Sequence, residues 1–192
     1  MPQENLRQGK LVVVSAPSGS GKTTIAREIM RRNPSLTFSV SATTRAKRAN
    51  EVDGKDYFFL TKEEFKQKVA ADEFVEWEEI YGDLYGTLKS EVERALAAGR
   101  NLMFDVDVNG GLSIKHEYPQ ALIIFIKLPS IEALRQRLAN RRTEDEPTIA
   151  KRMERVPMEL EKGKQFDYQV VNDDLSRAVE ETEKIVQQYL TQ

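Results

Sequence analysis

Thirteen consecutive residues, Leu11 to Thr23 (LVVVSAPSGSGKT), constrain the fold more tightly than any other stretch of the chain. Leu11–Ser15 is a short apolar run, the pattern of a strand buried on both faces as in a parallel sheet. Ala16-Pro17-Ser18-Gly19-Ser20-Gly21-Lys22-Thr23 then matches G-x-x-x-x-G-K-[ST], with Ala in place of the first Gly. Gly19 and Gly21 can turn backbone N–H groups toward an anion with no Cβ in the way. The start of a helix at Lys22 adds partial positive charge at the same place. Lys22 brings a point charge for β- and γ-phosphates, and the Thr23 hydroxyl suits Mg²⁺, which takes oxygen donors. A flexible Gly/Ser turn would explain the glycines but not the strand before them or the Lys-Thr at the helix start. Ala16 is compatible with the motif if its φ is negative.

The rest of the chain supplies what such a loop needs. Helix signals run from Lys22 to Arg32, with Ile25 and Ile29 on one face and Asn33-Pro34 as the stop. Asn101–Asp105, Ala121–Lys127 and Tyr168–Asn172 read as three more buried strands, each followed by a helical pattern. One such pattern puts Ile131, Leu134 and Leu138 together; another puts Leu175, Val179, Val186 and Tyr189 together. Alternating strands and helices predict an α/β fold, a parallel sheet with helices on both faces. From about Phe38 to Leu88 the rhythm changes. Strand-like pieces are expected at Phe38–Ser41, Tyr57–Leu60 and Phe74–Tyr81, with turns at Asp53-Gly54 and Gly82-Asp83. A short helix near Lys62–Ala71 opens on the capping-box pair Thr61 and Glu64. This is a small, mainly β insert. Arg135–Arg155 carries seven basic residues against four acidic ones. It reads either as a mobile cover for a phosphate or as a solvated helical hairpin.

Composition narrows the function classes. The 192 residues suit one globular unit of ordinary size with small inserted subdomains. Twenty-nine basic residues against 31 acidic ones leave a net charge of −2, so no global basic field points to nucleic acid or a membrane surface. The chain has no cysteine and one histidine, His116, which reads as surface. Disulfides, thiolate metal sites and a Ser-His-Asp triad are thereby disfavoured. No stretch approaches the ~20 apolar residues of a membrane span, and MPQENLRQGK lacks the apolar run of a signal peptide. A cytoplasmic location is the expectation.

The acceptor is carried by the insert. Ser39-Val40-Ser41-Ala42-Thr43-Thr44-Arg45, Arg48, Glu51-Val52-Asp53-Gly54-Lys55-Asp56-Tyr57, Glu73-Phe74-Val75-Glu76-Trp77 and Tyr85-Gly86-Thr87 resemble guanylate kinases in order and spacing. So do Asp105-Val106-Asp107 and Val171-Asn172-Asp173-Asp174, and the likeness runs from Val12 nearly to the C-terminus. The resemblance implies three parts: a P-loop ATP-binding core (1–37, 89–134 and 156–192), a GMP-binding insert (38–88) and a helical lid (135–155). It implies Mg²⁺-dependent transfer of the ATP γ-phosphoryl group to GMP, and to dGMP, within purine nucleotide metabolism. Residues 16–23, Thr24 and Asn172 would hold ATP. Arg45, Arg48, Tyr57 and Tyr85 would hold the GMP phosphate, and Glu51 and Asp105 would also count among the GMP-binding residues. Ser41, Glu76, Thr87 and Asp107 would surround the guanine. Asp105 would face Mg²⁺ through water beside Thr23. Lys22, Arg45, Arg137, Arg141 and Arg152 would act on the transferring group. The family often has Pro and Gly where this chain has Lys47 and Asn50. It commonly has Gly-Arg-Gly-Thr where this chain has Asn140-Arg141-Arg142-Thr143, which leaves open whether Arg141 or Arg142 reaches phosphate.

The chemistry of the residues points the same way. Guanine presents the N1–H and 2-amino donors beside the O6 acceptor. Glu76 can accept from both donors, and the Ser41 and Thr87 hydroxyls can donate to O6. Adenine would leave Glu76 unpaired. Two arginines and two phenols suit a phosphate dianion. Three rivals stand beside this reading. A kinase for another nucleoside monophosphate is opposed by Glu76 with Ser41 and Thr87. A guanylate-kinase-like binding module with little catalysis is opposed by the intact loop. A GTPase switch is opposed by the absence of Asn-Lys-x-Asp. Monomer and homodimer both remain compatible with the sequence.

Overall fold

The computed structural model describes residues 8–17, 19–80, 82–140 and 146–192. Among them are nine strands and seven helices. In chain order these are β1 (Leu11–Ser15), α1 (Lys22–Arg32), β2 (Leu36–Phe38), β3 (Ala42–Thr43), β4 (Phe58–Phe59), α2 (Lys62–Ala70), β5 (Phe74–Ile80) and β6 (Asp83–Leu88). There follow α3 (Lys89–Ala97), β7 (Asn101–Asp105), α4 (Val108–Glu117), β8 (Leu122–Lys127), α5 (Ile131–Asn140), α6 (Glu146–Gly163), β9 (Tyr168–Val171) and α7 (Leu175–Thr191). The larger sheet has the order β2-β7-β1-β8-β9, and the smaller one β4-β3-β6-β5. The chain divides into two compact units. Among the described residues, one comprises 8–10 and those of Leu36–Leu102; the other comprises those of Leu11–Ser35 and Met103–Gln192.

The second unit is the expected α/β assembly. β1 pairs in parallel with β8 (Val12 opposite Leu122), and β8 in parallel with β9 (Ile124 opposite Tyr168). All five residues of β1 are buried, and so are the first five of β8. That burial on both faces explains why these strands are continuous apolar runs instead of alternating ones. Helices α1 and α7 pack on each other, and α4 packs on β1, β8 and α6. Gly111 permits the α4 approach, since a Cβ there would meet the Phe166 ring at 2.7 Å. In α7 the buried face is Ala178, Val179, Thr182 and Val186, while Leu175, expected on that face, is 45% exposed. As the helix's first residue it precedes the turn that faces the core.

The first unit contains the mixed sheet. β3 runs parallel to β4 and antiparallel to β6, and β5 is antiparallel to β6. Its core is Ala42, Phe65, Phe74, Leu84 and Leu88, with the Phe65 and Phe74 rings stacked at 4.3 Å. α2 carries the full capping box foreseen at Thr61 and Glu64. Two local expectations are corrected. Phe38–Ser41 is not one strand: β2 ends at Phe38 and β3 begins at Ala42, with Ser39–Ser41 between them. The sequence marks only a turn at Gly82-Asp83 and a motif at Tyr85-Gly86-Thr87, whereas Asp83–Leu88 form β6, the six-residue partner of both β3 and β5. Gly86 interrupts its apolar pattern because the sheet leaves no room for a Cβ, which would lie 2.8 Å from both Glu76 O and Trp77 Cβ. The basic stretch 135–155 falls within α5 and α6 on either side of 141–145, which lie outside the described residues.

Candidate active site

The loop between β1 and α1 takes the shape that its glycines permit. Gly19 and Gly21 have φ of 93° and 90°, values that a residue with a side chain rarely adopts. Ala16 is not among the positive-φ residues, so its Cβ fits. The loop is held from behind by Asn172, just past β9, which donates its side-chain N–H to the Ser20 carbonyl at 2.7 Å. Asn172 and Ser20 are both 1% exposed. Asn172 therefore shapes the loop, a role more specific than the general ATP contact expected of it. Its own carbonyl accepts from Arg137 Nη2 at 3.0 Å, which brings an arginine of α5 to the same place. Pro17 is buried, and Thr23 and Thr24 are exposed at the start of α1. Ser18 and Arg141 lie outside the described residues. Arg152 is half-buried on α6.

Asp105, the last residue of β7, meets the two functional side chains of the loop. Its Oδ1 lies 2.5 Å from Lys22 Nζ, and its Oδ2 accepts from the Thr23 hydroxyl at 2.7 Å. Lys22 also donates to the Val106 carbonyl at 3.0 Å. These contacts hold the lysine ammonium at the C-terminal end of β7. The adjacent hydroxyl and carboxylate oxygens of Thr23 and Asp105 fit Mg²⁺, which takes one or two protein oxygens plus phosphate and water, not a dedicated cage. Among the described residues there is no group of three or more His, Cys, Asp or Glu placed to hold a metal. Two residues on from Asp105, Asp107 caps α4 by accepting from Gly110 N–H at 2.8 Å. Its other oxygen faces Arg155 of α6 at 3.4 Å.

In the first unit the expected phosphate-binding residues form a cluster. The Arg45 guanidinium lies over the Tyr57 ring at 5.4 Å and the Phe59 ring at 5.9 Å. Tyr57 meets Tyr85 edge-on, with ring centroids 6.2 Å apart. Glu51 accepts from Arg45 with both oxygens, at 2.7 and 3.2 Å, and from the Arg48 backbone N–H at 2.8 Å. A carboxylate repels phosphate, so this geometry makes Glu51 a holder of Arg45 and of the Arg48 turn. The pairing works both ways. Arg45, first of all, and the Arg48 N–H lower the Glu51 carboxyl below its ordinary range, while Glu51, first of all, raises Arg45 against burial, with Tyr85 assisting. Exposed Lys47 donates to the Glu51 carbonyl at 3.2 Å, closing the turn where the family often has Pro and Gly.

The base-reading candidates sit on the same sheet. Glu76 on β5 lies opposite Thr87 on β6, and the Thr87 hydroxyl donates to Glu76 Oε1 at 2.6 Å. Thr87 is 1% exposed, and Glu76 is half-buried. Ser41 precedes β3, and its carbonyl accepts from Phe58 N–H at 2.9 Å. Sequence reasoning missed Phe59, which adds a second ring beneath Arg45; its strand alternation with Tyr57 was the available signal. Arg155 and Glu159 of α6 are not among the residues expected at the site; helical i, i+4 spacing is their only mark in the sequence.

The chain is similar to known proteins along nearly its whole length. The guanylate kinase family model matches residues 8–189. Guanylate kinase from Chlorobaculum tepidum is 48% identical over 191 residues, covering 99% of this chain and 98% of that protein. Guanylate kinase from Symbiobacterium thermophilum is 46% identical over 182 residues, covering 95% and 86%. The crystal structure of guanylate kinase from Anaplasma phagocytophilum superposes with a TM-score of 0.69 at 27% identity, covering 94% of this chain and 86% of that one. A phosphate loop in one unit, a clustered arginine–tyrosine site in the other, and a family match spanning both lead to one conclusion: the chain belongs to the guanylate kinase family.

Proposed function

We propose that the enzyme transfers the γ-phosphoryl group of ATP to GMP, and to dGMP, giving ADP and the corresponding diphosphate in purine nucleotide metabolism. The observation that carries the acceptor is the Thr87–Glu76 pair. The hydroxyl donates to one carboxylate oxygen and fixes the carboxylate on the sheet, and a carboxylate is the group that can accept from the adjacent N1–H and 2-amino donors of guanine. Ser41 and Asp107 complete the base site, while Arg45, Arg48, Tyr57 and Tyr85 receive the 5′-phosphate. Glu51 keeps Arg45 and the Arg48 turn in place. In functional terms the core is 1–37, 89–134 and 156–192, the acceptor insert 38–88 and the lid 135–155.

On the ATP side, backbone N–H groups of the 16–23 loop, Lys22 and the start of α1 bind the phosphates. Thr23 and Asp105 would hold Mg²⁺, the latter through water; when bound it neutralises charge on the β- and γ-phosphates. Phosphoryl transfer needs no covalent enzyme intermediate. It needs the acceptor oxygen in line and within about 3–3.5 Å, with the growing charge compensated. Lys22 and the arginines at 137, 141 and 152 supply that compensation, and exclusion of water suppresses hydrolysis. Among the described residues no helix is long and apolar enough to cross a membrane, and the nucleotide substrates suit a cytoplasmic enzyme. The test is ADP formation from ATP with GMP, dGMP, AMP, CMP and UMP as acceptors. The expected result is turnover with GMP and dGMP far above the others; equal rates with AMP would remove Glu76 and Thr87 from base recognition.

A further inference from the structure

We propose that Arg155 is a positioning residue for Asp107 in recognition of the monophosphate substrate, and that buried Glu159 holds Arg155 to this task; the inference rests on the base site proposed above. Asp107 is anchored through Oδ1 to the Gly110 N–H, and Oδ2 is the oxygen that meets Arg155 and that a ligand donor would share. Arg155 Nη2 faces that oxygen at 3.4 Å, long for a charged hydrogen bond. The arginine thus orients Oδ2 without saturating its lone pairs, and a guanine N–H can still be accepted.

Glu159 explains why Arg155 stands there. It lies one helical turn on, with Oε1 3.9 Å from Arg155 Nε. Its residue is only 7% exposed. The neighbouring residues Val156 and Leu160 belong to or pack against an apolar cluster with Leu134 and Leu138. Packing alone would favour an apolar residue at 159, because a buried carboxylate is costly unless it is paired. The Arg155 side chain is 55% exposed, and a pair so open to solvent adds little to stability. Stability therefore does not account for a charge kept at this depth, whereas fixing the arginine that faces Asp107 does. Pro157 lies between the two, and its missing N–H relaxes the helix ladder at the turn that carries them.

The test measures KM and kcat for GMP and KM for ATP in the parent, Arg155→Gln, Arg155→Lys and Glu159→Gln, with melting temperatures for each. The expected result for Arg155→Gln is a rise in KM for GMP of about two- to fivefold, the scale of a part-exposed charged contact, with KM for ATP unchanged. Arg155→Lys recovers part of the loss. Glu159→Gln moves KM for GMP in the same direction by less, and it melts no lower than the parent. If Arg155→Gln folds poorly, Glu159→Gln alone decides. Parental KM for GMP in the folded variants, or an equal rise in KM for ATP, overturns the inference and leaves the base site standing. A parent that does not phosphorylate GMP removes both.

Discussion

Gly21→Ala tests how the phosphate loop is built. Gly21 has φ of 90°, and a Cβ on it would lie 2.6 Å from Asn172 Nδ2, the atom that donates to the Ser20 carbonyl. Two penalties arise. Forcing an L-residue into a left-handed conformation costs about 1–2 kcal/mol. Displacing Asn172 breaks a buried hydrogen bond, at about 1–3 kcal/mol. The variant should therefore lose about 2–5 kcal/mol of stability and, with its loop displaced, most of its turnover. Asn172→Ala removes the same hydrogen bond and also the group that the new Cβ meets. The two substitutions should thus be non-additive, the double variant being more stable than the sum of the singles predicts by about 1–3 kcal/mol. Urea unfolding of the parent, both singles and the double variant measures this directly. Additivity within about 0.5 kcal/mol would refute the claim that Asn172 braces the loop at Gly21.

Three further outcomes follow from the site. Glu76→Gln presents an amide donor where guanine also donates, so kcat/KM for GMP should fall by about 1–3 kcal/mol in transition-state terms, narrowing the gap to AMP; unchanged kcat/KM would exclude Glu76 from the base site. Lys22→Ala should lower kcat by roughly 10²–10³ while calorimetric GMP affinity stays near the parental value, and an equal loss of GMP binding would contradict separate phosphate sites. Glu159 is raised above the ordinary carboxyl value of 4.5, chiefly by burial, with Arg155 opposing, Asp107 adding and Lys22 opposing. Between 4.5 and its raised value the folded state holds more protons than the unfolded one, so the contribution of Glu159 to stability falls as pH rises through that window. Glu159→Gln should accordingly melt at or above the parent near neutral pH, with its advantage vanishing once the pH drops below the ordinary carboxyl range; a lower melting temperature at neutral pH would contradict this.

What could be read from the sequence was what local chemistry imposes. β1 and the loop after it are legible because a doubly buried strand must be apolar and a phosphate cradle must carry glycines at positive φ. Thr61 and Glu64 announce α2 because a helix start needs its N–H groups satisfied. β6 was hidden because its pattern is broken at Gly86, a residue explained only by β5 pressing against it from another part of the chain. The break between β2 and β3 was hidden for the same reason: Ala42 and Thr43 form a strand through pairing with β4 and β6, not through a run of their own. Within the site, residue types named Arg45, Tyr57, Tyr85, Glu76 and Thr87 as a set. They did not reveal that Glu51 faces the arginine, or that Asp105 meets both Lys22 and Thr23. Those pairings depend on which oxygen faces which nitrogen. Glu159 was one acidic residue among 31 until its burial became visible.

Transfer between two nucleotides can be watched by phosphorus NMR of the protein with ATP, GMP and Mg²⁺. ADP and GDP signals should rise together one for one as ATP and GMP decline, with little inorganic phosphate. Phosphate accumulating while GMP stays constant would mean that the loop feeds water instead of the proposed acceptor site, and would contradict it.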